Sequence, residues 1–113
     1  MTMNIQQHTM GRALVLSVHE DRIDSASALQ FRELLRGYID DGNHQLVLDL
    51  SKVNFIDSSG LGSLVGAFKY LGQRGTFALA GLTQPVQRLF QLTRMERVFQ
   101  IYPSPQHAEK DFQ

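Results

Sequence analysis

The stretch from residue 45 to residue 71, QLVLDLSKVNFIDSSGLGSLVGAFKYL, narrows the folds open to this chain more than any other. Its first six residues are nearly all apolar and rich in branched side chains, the pattern of a strand covered on both faces. After SKVNFID the period changes. Leu61, Leu64, Val65, Phe68 and Leu71 follow the three-and-four spacing of a helix face that ends near Gly72 and Gly75. A strand buried on both sides and followed at once by an amphipathic helix calls for a sheet with helices packed on it.

The rest of the chain continues that alternation. ALVLSVHE, from Ala13, sets Leu14, Leu16 and Val18 against Val15, Ser17 and His19, which predicts a strand with one face buried. Residues 4–8 can pair with it across a turn at Met10 and Gly11. Asp24 and Ser25 offer a cap for a first helix whose apolar face is Ala28, Phe31, Leu34, Leu35, Tyr38 and Ile39, and DDGNH ends it at residues 40–44. TFALAGL, from Thr76, reads as another buried strand. Pro85 suits a first helical position, with Val86, Leu89 and Phe90 facing inward. VFQIY, residues 98–102, is a last short strand, and Ser104 with Pro105 opens a terminal helix. The expected fold is α/β: one domain over residues 1–113, with a core from about 4 to 112. A four- to five-stranded, mostly parallel mixed sheet begins with an N-terminal hairpin and packs with about four helices.

Composition limits the function. At 113 residues the chain suffices for one core and not two. Lys plus Arg and Asp plus Glu number 11 each, so overall charge draws the protein to neither nucleic acid nor an anionic membrane. Arg88, Arg94 and Arg97 supply much of a basic excess in the second half, but no aromatic residues interleave them as in a stacking platform, so they read as a solvated face. There is no cysteine, which removes disulfides, thiol nucleophiles and thiolate metal sites together. His8, His19, His44 and His107 are scattered singly, and DDGNH lacks the alternating ligands of a calcium loop, so neither metal nor cofactor is expected. MTMNIQQHTM has neither a basic leader nor an apolar run, and no membrane-length apolar segment follows. No membrane insertion and a cytoplasmic location are the expectations.

The second helix opens against its own propensity. Gly60, Gly62 and Gly66 each cost about 0.8–1 kcal/mol relative to alanine inside a helix. Ser59, Gly62, Ser63 and Gly66 fall on a side distinct from the apolar stripe and leave it bare. Close packing onto a neighbouring strand and an exposed shelf approached by another protein both fit. Ser58 or Ser59 can cap the helix, which leaves a second hydroxyl unexplained. The start of a helix also tolerates a phosphate. The P-loop pattern fails for want of a Lys–Ser or Lys–Thr pair, the dinucleotide pattern fails at Val65, and a nucleophile elbow on Ser59 fails at Asp57.

LVLDLSKVNFIDSSGLGSLVGAFKYL together with QPVQRLFQLTRMERVFQIY closely resembles the STAS-domain anti-sigma factor antagonists, over almost the whole chain, with DSSGLG after an apolar strand as the most specific part. The resemblance implies a protein substrate, not an enzyme. It implies that Ser58 is phosphorylated by a partner that is both a serine kinase and an anti-sigma factor, and that a metal-dependent serine/threonine phosphatase reverses this. The unphosphorylated form would bind the kinase and free its sigma factor. Asp24, Asp57, Ser59, Gly60, Leu61 and Gly62 would lie on or beside the partner-facing surface. Many relatives place a glycine shortly before the apolar residue and aspartate that open the first helix; EDRID, residues 20–24, has none. The principal alternative is a non-switching adaptor subunit of a membrane transport system, a role the same fold also takes.

Overall fold

The computed structural model describes residues 3–113. Along the chain run β1 (Ile5–Met10), β2 (Ala13–Val18), β3 (Arg22–Ile23), α1 (Ala28–Asp40), β4 (Gln45–Asp49), β5 (Phe55–Ile56), α2 (Ser58–Leu71), β6 (Thr76–Ala80), α3 (Gln84–Leu92), β7 (Gln100–Tyr102) and α4 (Pro105–Ala108). The main sheet has the order β1-β2-β4-β6-β7. β1 and β2 form an antiparallel hairpin, and every later pairing is parallel. This is the mixed, mostly parallel sheet with an opening hairpin that the alternation predicts. The hairpin is longer than expected: β1 runs to Met10, so the turn falls at Gly11 and Arg12.

Side chains alternate across the buried strands. Leu16, Leu46, Leu48, Phe77 and Leu79 join the main core with Phe31, Leu35, Leu64, Ala67, Val86 and Phe90 from α1, α2 and α3. The opposite face carries Ala13, Val15, Val47, Ala78 and Ala80, covered by Ala108 of α4 and by Phe112. β2 is therefore buried on both faces and not on one; Val15 is as inaccessible as Leu16, because the far end of the chain returns to cover it. Each large apolar side chain so buried is worth about 1.5–3 kcal/mol. Phe99 joins several elements through its ring, 5.1 Å from Phe68, 5.8 Å from Phe90 and 6.2 Å from Phe77.

The first helix begins later than its cap signals suggest. Asp24 heads a turn instead: its carbonyl accepts the N–H groups of Ser27 and Ala28, and its Oδ1 accepts that of Ala26 at 3.1 Å. Ser27 then occupies the cap position of α1. Among the described residues no helix is long and apolar enough to cross a membrane.

Candidate functional site

β3 and β5 form a second, two-stranded parallel ribbon, pairing Arg22 with Phe55 and Ile23 with Ile56. This ribbon sets the segment after Ile23 beside the start of α2. The turn before it is held by Asp21, whose carbonyl accepts the Asn54 N–H at 2.7 Å and whose Oδ1 accepts from Asn54 Nδ2 at 2.8 Å. No residue of 20–24 has a positive φ, so the turn needs no glycine there.

Asp57, in extended conformation, caps α2. Its Oδ1 accepts the Gly60 N–H at 2.9 Å, and its Oδ2 accepts the Ser25 N–H at 3.0 Å. Neither serine is the cap, contrary to the sequence expectation. A carboxylate one residue earlier satisfies the same orphan donor and adds a negative charge where the helix dipole favours it. Ser58 and Ser59 are thus the first two helical residues; both are exposed, and neither hydroxyl hydrogen-bonds to any described residue. The unexplained hydroxyl of the sequence becomes two.

The glycines divide between the two readings left open. Gly60 is buried, and a Cβ there would meet Ile56 Cγ2 at 2.9 Å and press still harder on the Ile23 carbonyl, so close packing requires it. Gly62 is exposed, and a Cβ there would meet nothing within 4 Å. The helix side expected to be bare is partly covered: α1 lies along it, and buried Ser63 donates from Oγ to the Ala28 carbonyl at 2.7 Å. Leu61 is half-buried and packs on the main core. Asp24, half-buried, takes Arg22 Nε at 2.9 Å, while the Arg22 guanidinium lies 4.7 Å over the exposed Phe55 ring. The fold thus brings Asp24, Asp57, Ser58, Ser59 and Gly62 to one corner, with Gly60 beneath them.

Sequence reasoning missed what α1 adds. A shallow recess between α1 and α2 is lined by Ser25, Leu29, Arg32, Ser59 and Gly62. Leu29 is 64% exposed, and its position off the Ala28, Phe31, Leu35 stripe is the signal that could have marked it.

The STAS domain model matches residues 4–108, nearly the full chain. The chain belongs to the STAS domain family. The anti-sigma-B factor antagonist of Listeria monocytogenes is 39% identical to this STAS domain over 80 residues, 70% of each chain. An anti-sigma factor antagonist from Mycobacterium paratuberculosis superposes with a TM-score of 0.86 at 25% identity, covering 98% of this chain and 94% of that one. The Bacillus cell fate determinant SpoIIAA in its phosphorylated form shares the fold, with a TM-score of 0.72 at 18% identity over 97% of this chain and all of that one. Chemically, the corner of this STAS domain presents two unengaged hydroxyls at the positive end of a 14-residue helix, beside a carboxylate whose two oxygens each accept one backbone amide.

Proposed function

We propose that this STAS domain is an anti-sigma factor antagonist that docks a serine-kinase anti-sigma factor on the corner formed by Asp24, Asp57, Ser58, Ser59, Gly60, Leu61 and Gly62, and that phosphorylation of Ser58 ends the docking. It acts as ligand and substrate of its partners, not as an enzyme, in the cytoplasm, and a metal-dependent serine/threonine phosphatase restores it. The observation that carries this reading is the division of labour at the helix start: Asp57 does the capping, so the Ser58 and Ser59 hydroxyls are both exposed and unengaged, and the resemblance carried by DSSGLG selects Ser58. The names of the Listeria and Mycobacterium relatives support an anti-sigma factor as the partner.

A phosphate on Ser58 adds about 1.5 to 2 negative charges at neutral pH. The helix terminus favours it by about 0.3–2 kcal/mol and neighbouring Asp57 opposes it, so the fold changes little. An unpaired charge buried against a partner costs several kcal/mol, roughly a hundredfold or more in affinity. The modification therefore acts on docking and not on folding. Incubation with a serine-kinase anti-sigma factor and ATP, followed by peptide mass spectrometry, should find one phosphate, on Ser58, and none on the Ser58→Ala chain. A chain that neither binds this partner nor becomes modified would favour the adaptor reading instead.

A further inference from the structure

Arg32 brings a half-exposed positive charge to the docking corner, loosely paired with Glu33. Its stem crosses from α1 over α2, with Cδ 3.9 Å from where a Cβ on Gly66 would stand. Its Nε is buried and finds no hydrogen-bond partner among the described residues. The carboxylate within reach is Glu33, one residue along the same helix, with Oε1 3.8 Å from Nη2, too far for a hydrogen bond. The acids of the corner are committed elsewhere, Asp24 to Arg22 and the Ala26 amide, Asp57 to the amides of Gly60 and Ser25. Arg32 lines the recess between α1 and α2 together with Ser25, Ser59, the exposed Leu29 and the open Gly62.

We propose that this recess receives an acidic side chain of the docked anti-sigma factor, with its carboxylate on the Arg32 guanidinium and its methylene groups between Leu29 and Gly62. This rests on the docking role proposed above and names the chemistry of the partner there. A guanidinium fork matches a carboxylate, and the exposed Nη end of the half-exposed Arg32 side chain is the part a docked carboxylate reaches. The bare Gly62 is then the space the incoming side chain occupies. Ser59 lines the recess and Ser58 precedes it, so a phosphate on Ser58 sets a second anion beside the one being recruited. Repulsion of the incoming carboxylate, and competition for Arg32, reinforce the loss of docking.

The test is titration calorimetry of the purified serine-kinase anti-sigma factor against the wild-type chain and its Arg32→Gln, Arg32→Lys, Gly62→Leu and Arg88→Gln variants, with circular dichroism on each. Arg32→Gln should bind about tenfold to a hundredfold more weakly, Arg32→Lys should lose less, and Arg88→Gln should match wild type. Gly62→Leu should bind more weakly without melting at a lower temperature, because the recess and not the fold is filled. Arg32→Glu should regain affinity for a partner in which one surface Asp or Glu is changed to Arg, a rescue that a merely structural role would not give. Arg32→Gln affinity within about twofold of wild type, with Ser58 still phosphorylated, overturns the acidic-side-chain proposal and leaves the phosphorylation reading standing. A wild-type chain that neither binds nor is phosphorylated overturns both.

Discussion

The backbone N–H of Ser25 donates to Oδ2 of Asp57 across 3.0 Å, while the other oxygen of that carboxylate holds the Gly60 N–H at 2.9 Å. One side chain therefore caps α2 and ties down the loop that leads into α1. Replacing it by alanine removes a cap worth about 1 kcal/mol and a charge-assisted hydrogen bond of similar size, so Asp57→Ala should lower stability by roughly 2 kcal/mol. Asp57→Asn keeps one oxygen for Gly60 but turns an amide toward Ser25, and should lose about half as much. Urea unfolding of the three chains measures this; an Asp57→Asn chain as stable as wild type would mean that the Ser25 tie contributes nothing, and equal loss in the two variants would mean the same of the Gly60 cap.

Gly60 and Gly62, two positions apart in α2, should respond to alanine with opposite signs. At Gly60 the added methyl strikes Ile23 and Ile56, an overpacking that costs about 1–3 kcal/mol. At Gly62 it enters open space, and relief of the glycine penalty should stabilise the helix by up to about 1 kcal/mol. Melting temperatures that shift the same way for both would contradict this reading of the helix start.

Tyr102 predicts a pH window. Its phenol, pushed up from 10.0 to about 12 by burial and then by its hydrogen bond to Asp111, stays neutral in the fold at a pH where the unfolded chain ionises. The raised value means that its contribution is complete below pH 10.0 and is lost as pH rises toward about 12. Tyr102→Phe should flatten the fall in stability across that interval. An unchanged slope in denaturant titrations at successive pH values would show that Tyr102 titrates alike in both states.

Parts of this structure were legible in the sequence for identifiable reasons. The apolar runs at Gln45 and Thr76 gave β4 and β6 because strands covered on both faces lose their alternation. Val15 was read as belonging to a half-covered strand because Ser17 and His19 break the pattern, and its cover, Phe112, comes from the far end of the chain. β3 and β5, at two residues each, are too short to carry a period. Three good capping residues stand in a row at 57–59, and the tertiary contact from Ser25 accompanies the first of them. The helix start at 57–62 is local in sequence, whereas Asp24 comes beside it through the pairing of β3 with β5, and Leu29 and Arg32 through the packing of α1 on α2.

The most direct trial compares the purified serine-kinase anti-sigma factor binding to three forms of the chain: unmodified, Ser58→Ala, and phosphorylated on Ser58. The first two should bind alike. The phosphorylated form should melt within a few degrees of the others yet bind roughly a hundredfold or more weakly. A phosphorylated chain that holds its partner at full strength, or one that loses binding only because it has unfolded, would contradict a switch acting at an exposed hydroxyl on a helix capped by Asp57.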